Sequence, residues 1–172
     1  YDAVVMNPPF GEFVASLRSW SKTQFDRSYQ NILAAFVERS LRKLSDEKGL
    51  LGAITSRTCF FLAGLSSWRE TVILDESELH LFADLGHGVM DAAHVEAAAF
   101  TIRSGRLKNQ KAHASPNFLD LLATETKAEA LLPGGADNKW RSISVSELQK
   151  VPGTPFSYWL STLIALFLAL AF

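Results

Sequence analysis

Cysteine is almost absent from this 172-residue chain: a single one, Cys59, excludes an internal disulfide and leaves no cysteine cluster for structural zinc, which suits a reducing compartment. Its expected role is that of a small buried apolar residue. An excess of one charge is lacking too. The 17 basic and 18 acidic residues leave a formal charge of -1, so no global field draws the chain to a polyanion, and any such contact must be local. The opening Tyr1-Asp2-Ala3-Val4-Val5-Met6 has neither an initiator methionine nor the basic and apolar layout of a signal peptide. It reads as a fragment that starts inside a strand. Long apolar runs are confined to Phe156 to Phe172, shorter than the ~20 residues a spanning helix needs. That segment is expected to be a truncated core helix or an artefact of the chain's end, not a membrane anchor. Internal repeats and low-complexity tracts are also missing. What remains, 48% apolar and 20% charged residues, is the composition of a domain with a real core.

The apolar pattern predicts an α/β protein. Ala3 to Met6 is a short run rich in β-branched residues, stopped by Asn7-Pro8-Pro9, and reads as a buried strand of a parallel sheet. Residues 11 to 28 show no clean period and suggest a long functional loop. From Tyr29 to Leu44, Leu33, Phe36, Val37, Ser40, Leu41 and Leu44 fall at helical spacing, with Glu38, Arg39, Arg42 and Lys43 on the opposite face. Leu50 to Thr55 predicts a second strand, Ser67 to Leu74 a helix, and Leu79 to Leu85 a third strand. Ala97 to Arg103 follows too soon for a crossover helix and should pair antiparallel with a neighbour. Farther on, a helix within Phe118 to Leu132, stopped by Pro133-Gly134-Gly135, and a short strand within Trp140 to Val145 are expected.

Chemistry concentrates in Asn7-Pro8-Pro9-Phe10. In open α/β sheets ligands sit beyond the carboxyl ends of strands, which is where this tetrapeptide must lie. Asn7 and Pro8 each precede a proline and are driven to extended geometry, and neither proline offers an N–H. Their carbonyls are left to point outward. An exocyclic amine on adenine is a poor nucleophile because its lone pair is delocalised into the ring. Two acceptors aimed at its two hydrogens, the Asn7 side-chain oxygen and the Pro8 backbone oxygen, would favour a more tetrahedral, more reactive nitrogen. Phe10 offers a face for an extruded base, a stack worth ~1–3 kcal/mol. Gly11 lets the chain turn away.

This tetrapeptide resembles the Asp/Asn/Ser-Pro-Pro-Tyr/Phe/Trp motif of the amino-methyltransferases. The wider stretches Asp2 to Phe10, Ala34 to Leu41, Gly49 to Thr55, Leu85 to Phe100 and Val151 to Trp159 are similar to bacterial adenine methylases of the type IIG and BREX phage-defence classes. The resemblance implies the C-terminal half of a Rossmann-like methyltransferase sheet, parallel strands with an antiparallel hairpin, followed by a mixed helical extension. It implies a partial catalytic domain over 1–104 and an extension toward a target-recognition region over 105–172. The implied activity is methyl transfer from S-adenosylmethionine to a flipped adenine, catalysed by a longer parent in the bacterial cytoplasm. The implied partners are double-stranded DNA and restriction or phage-defence subunits. Two other readings stay open: an inactive binding or assembly remnant, and an amino-methyltransferase acting on protein glutamine or RNA.

The resemblance also implies a glycine-rich donor loop followed by an acidic residue for the ribose. Gly86-His87-Gly88 is the nearest candidate, but it reads better as a hairpin turn because the strand after it ends in Arg103-Ser104 without a carboxylate. The main donor site is therefore expected to be missing, with only Asp2 and Asn7 near the donor. His87, Asp91 and His94 have a spacing that invites a metal, yet they are expected to form a turn, with no metal bound. Arg18, Lys22, Arg27 and Arg57 are candidates for contacts to DNA phosphates. Trp140, Tyr158 and Trp159 are expected to be core or interface aromatics.

Overall fold

The computed structural model describes residues 1–45, 48–90, 95–105, 115–132 and 140–160. Its centre is a six-stranded mixed sheet in the order β1-β2-β4-β3-β5-β6. β1 (Ala3–Met6) runs parallel to β2 (Leu50–Ser56), with Met6 opposite Ala53. β4 (Ala97–Ser104) inserts antiparallel between β2 and β3 (Ser77–Gly86), as its short connection required. β5 (Asn117–Asp120) then adds parallel to β3, and β6 (Trp140–Ser142) antiparallel to β5. The expected α/β class with an antiparallel hairpin is what the sheet shows.

α1 (Arg18–Gln24) and a preceding 3-10 turn, Ala15–Leu17, occupy the stretch expected to be an irregular loop. α2 (Ile32–Leu41) is shorter than its apolar pattern suggested. Its start is set by Asn31, whose side chain accepts from the N–H groups of Leu33 and Ala34 at 3.0 and 3.4 Å. Trp68–Asp75 coils as a wider π-type helix, in which the N–H of Glu76 reaches the carbonyl of Thr71 at 2.7 Å. The helix expected within Phe118 to Leu132 is the five-residue α3 (Lys127–Leu131), and Asn117–Asp120 before it forms β5. α4 (Val145–Leu148) follows β6 behind a capping box of Ser144 and Glu147. Gly134 and Gly135, the expected helix stop, lie outside the described residues, as do 161–172. Among the described residues no helix is long and apolar enough to cross a membrane.

One sheet face carries the main core. Phe60 lies at its centre, with ring centroids 4.9 to 5.6 Å from Trp68, Phe82, Phe100 and Phe156. Phe118 and Tyr158 continue this cluster, stacked at 5.5 Å. Residues from beyond 105 thus fill the same core as α2 and the first four strands. The expectation of a buried first strand is not met, because β1 lies at an edge of the described sheet: Val4 and Met6 are half-buried against the core and Val5, on the other face, is 89% exposed.

Phe156 is fully buried against three other phenylalanines. Phe156→Ala should therefore lower unfolding free energy by roughly 3–5 kcal/mol, read as a fall in the urea midpoint with an unchanged slope. A change below about 1 kcal/mol would mean that the tail does not belong to this core.

Candidate active site

The carboxyl ends of β1, β2 and β3 and the start of β4 form one rim of the sheet, and the residues that carry chemistry collect there. Asn7 leaves β1 directly after Met6. Pro8 is buried, whereas Asn7, Pro9 and Phe10 are exposed. Among the described residues, neither the Asn7 side chain nor the Pro8 carbonyl has a hydrogen-bond partner. Neither acceptor at the rim is thus engaged by a described residue. A hollow of about 590 Å³ opens beside Asn7, lined also by Val5, Gly52, Ile54, Met90 and Thr101. Phe10 does not line it. Gly11, at φ 112° with open space around it, swings the chain off the rim. Its carbonyl accepts from the N–H of Ile32 at 2.9 Å, so the excursion over residues 12–31 begins and ends at the same point.

That excursion is held by a buried carboxylate. Glu38 was expected on the solvent face of α2 but is buried, where it accepts from the Ser28 hydroxyl and the Arg42 guanidinium. Arg42 also donates to the Gln24 carbonyl at 3.0 Å and sits over the Phe25 ring. Burying Glu38 is tolerable because it is both paired and hydrogen-bonded. The i,i+4 spacing to Arg42 is legible in the sequence, but Ser28, ten residues earlier and outside the helix, is not.

The four expected phosphate contacts separate in space. Arg18 and Lys22 share a hollow of about 410 Å³ with Phe13 and Tyr29; Arg18 pairs with Glu12 at 3.1 Å and Lys22 lies over the Tyr29 ring. Arg27 pairs with Glu76 at 2.6 Å. Arg57 belongs to the rim, where its guanidinium contacts Asp84 at 2.5 Å and Glu96 at 3.1 Å and covers the Phe61 ring. Asp2 is corrected. It begins the strand that Asn7 ends, so the two stand about 16 Å apart at opposite ends of β1, and Asp2 accepts from the Ser45 hydroxyl. A ligand at the carboxyl ends of the strands does not meet it.

Sequence reasoning missed the group around which Arg57 is organised. Asp84 is fully buried near the end of β3, beside a register shift between Asp84 and Gly86, and its Oδ2 also accepts from the Tyr158 hydroxyl at 3.1 Å. Its Oδ1 has no partner among the described residues. Burial raises the carboxyl above its ordinary value of 3.8, against the opposing pull of Arg57. Burial likewise pushes the Tyr158 hydroxyl upward, and the Asp84 charge adds to this. The hint in the sequence was an Asp among the apolar residues Phe82, Ala83 and Leu85.

S-adenosylmethionine, the donor implied by the resemblance, does not find a complete holder among the described residues. Gly86 and Gly88, at φ 61° and 81°, turn the chain from β3 toward the antiparallel β4 and do not open a helix. A Cβ on Gly86 would meet Leu122 at 2.9 Å, so packing accounts for that glycine. Asp91 and His94 lie outside the described residues, among which no group of three potential ligands is placed to hold a metal. Cys59 is buried, and desolvation pushes its thiol up to about 12. Tyr158 is buried, while Trp140 and Trp159 are partly exposed.

The model of the Eco57I restriction-modification methylases matches residues 1–89. An adenine-specific methyltransferase, PglX, of Lacticaseibacillus casei (strain Zhang) is 24% identical over 173 residues, which cover 94% of this chain and 14% of that protein. The chain therefore spans about one seventh of the length of this curated relative. A modification subunit assigned to a type I restriction enzyme of Vibrio vulnificus YJ016 superposes with a TM-score of 0.61 at 16% identity, over 86% of this chain and 34% of that one. The type IIG restriction endonuclease BpuSI gives a TM-score of 0.61 at 15% identity, over 90% and 20%. At such identities the two structures establish a shared fold.

Arg57→Gln leaves the Asp84 carboxylate buried without its cationic partner. The expected loss is about 3 kcal/mol at pH 7, measured by denaturant unfolding. Because the folded-state pKa of Asp84 is raised, the neutral carboxyl stabilises the fold fully below 3.8, and that contribution is lost as pH rises through the raised value. The penalty of Arg57→Gln should accordingly shrink toward pH 4. An equal penalty at both pH values would contradict the pairing.

Proposed function

The chain belongs to the Eco57I restriction-modification methylase family, and on that premise we propose that it forms the acceptor side of a DNA adenine methyltransferase site. The observation that carries this reading is Asn7 at the edge of an open hollow, followed directly by the Pro8 carbonyl, with neither oxygen hydrogen-bonded among the described residues. Asn7 Oδ1 and the Pro8 carbonyl accept the two hydrogens of an adenine amine. This draws the lone pair back onto nitrogen and raises its reactivity toward a methyl donor. Pro8 and Pro9 keep the acceptors rigid, so little ordering entropy is lost when the base arrives. Phe10, exposed three residues beyond Asn7, stacks on the extruded base. Adenine is favoured over glutamine or an RNA base because the relative PglX is an adenine-specific methyltransferase.

S-adenosylmethionine supplies the methyl group in this proposal, held by residues beyond those described. Duplex DNA is the partner, with Arg18 and Lys22 near its phosphates and Arg27 at the margin. Arg57, engaged by two carboxylates, serves to position the rim. Restriction or phage-defence subunits complete the assembly in the bacterial cytoplasm. Residues 1–104 provide the acceptor site, while 105–172 lead toward target recognition, with Phe118, Val145, Leu148, Phe156 and Tyr158 sharing the core of the first part.

In the protein that carries this chain, Asn7→Ala should reduce methyl incorporation into DNA adenine by roughly 100-fold or more, the scale of losing one aligned polar contact in an active site. Duplex affinity should be retained. Incorporation of labelled methyl groups near the wild-type rate would remove Asn7 from the mechanism and the proposal with it.

A further inference from the structure

The limb of chain that leaves the candidate site is apolar on its outer side, and the function proposed above does not use it. Val14, in extended geometry, caps the 3-10 turn Ala15–Leu17, and Leu17 and Trp20 lie three apart where that turn runs into α1. They are 63%, 46% and 49% exposed. Three large apolar residues in one short exposed stretch, starting four residues after Phe10, are unusual for a surface helix and mark a contact face.

The limb is built to stay in place. Trp20 is braced edge-on by Phe13 and Phe25, at 6.4 and 5.9 Å. The returning limb is fastened by Arg42 to the Gln24 carbonyl, by Ser28 to buried Glu38, by Arg27 to Glu76, and by Ile32 to Gly11. A row of apolar side chains is thus held rigidly on the limb that leads away from the acceptor oxygens. Arg18 and Lys22 follow Leu17 and Ser21 directly in sequence, and they line the adjoining hollow. Apolar tips beside cations match the chemistry of a bent duplex, with phosphates outside and base faces within.

We infer that Leu17, flanked by Val14 and braced Trp20, is a wedge that enters the duplex and occupies the space vacated by the extruded adenine. The inference rests on the DNA-methylation reading and extends it to how the opened duplex is held. An extruded base leaves two neighbouring pairs unstacked, and the helix recloses unless something fills the gap. An apolar side chain recovers part of that stacking, and the two cations, which line one hollow, hold the adjoining backbone.

The test is equilibrium binding of the full chain, by fluorescence anisotropy at low salt, to a paired duplex and to the same duplex with one abasic position. Wild type should bind the abasic duplex about tenfold more tightly, within the range of a base-stacking contact. Leu17→Ala should reduce this preference to about twofold or less while its affinity for the paired duplex stays unchanged. Arg18→Gln with Lys22→Gln should weaken both duplexes alike. The wedge is overturned if wild type shows no preference or binds neither duplex, or if Leu17→Ala keeps the preference. It is also overturned if Leu17→Ala instead dissolves a dimer seen by sedimentation, which would assign the face to a second copy. Methyl incorporation that is sensitive to Asn7 together with no abasic preference sinks the wedge alone. Abasic preference together with incorporation indifferent to Asn7→Ala sinks the methylase reading alone.

Discussion

Two prolines in succession end β1 without supplying an N–H, and the arrangement of the rim follows from that. A strand whose next two residues cannot donate has no way to extend its ladder, and the residue before each proline cannot enter a helix. The chain must leave the sheet extended, carrying its carbonyls outward. Gly11 turns it aside at a positive φ, and the bond from Ile32 to Gly11 brings it back 21 residues later, just as Asn31 opens α2. The rim's acceptors, the excursion and the helix that anchors it are consequences of one local constraint.

The rim is then stiffened from the far side of the sheet. Tyr158, close to the end of the described chain, reaches Asp84 on β3, which holds Arg57 after β2, which in turn reaches Glu96 before β4. Arg69, buried in the π-type helix, ties the carbonyls of Cys59 and Leu62 to those of Gly153 and Thr154. Burial lowers its pKa to about 10, and it remains charged at neutral pH. Two separate polar links, backed by Phe156 in the aromatic core, fasten the segment over 151–158 to the loop that follows β2. A tail that looked like a mere extension is part of the support of the site.

The parts that could be read from sequence are those fixed by local chemistry. Ala3 to Met6, Leu50 to Thr55 and Ala97 to Arg103 are rich in small and β-branched residues and bounded by turns, and they are strands in the structure. Asn7 to Phe10 announced itself because proline geometry needs no tertiary context. What escaped depended on distant partners. The helix read within Phe118 to Leu132 is confined to Lys127–Leu131, because Phe118 and Leu119 are drawn into pairing with Phe82 and Ala83. Glu38 looked solvated until Ser28 was brought to it across ten residues. Arg57 looked free for phosphate until Asp84 and Glu96 converged on it. A periodicity argument sees one element at a time, and each of these residues is placed by two or three.

The central claim concerns two hydrogens and two oxygens, and it can be examined without any turnover. A duplex bearing one adenine labelled with nitrogen-15 at its amino group, opposite an abasic position, would be titrated with the protein while the two amino protons are followed by NMR. The account requires both protons to move downfield together, because each meets its own acceptor at Asn7 and Pro8. If neither proton moves in a saturated complex, or if only one does, the paired-acceptor geometry is wrong.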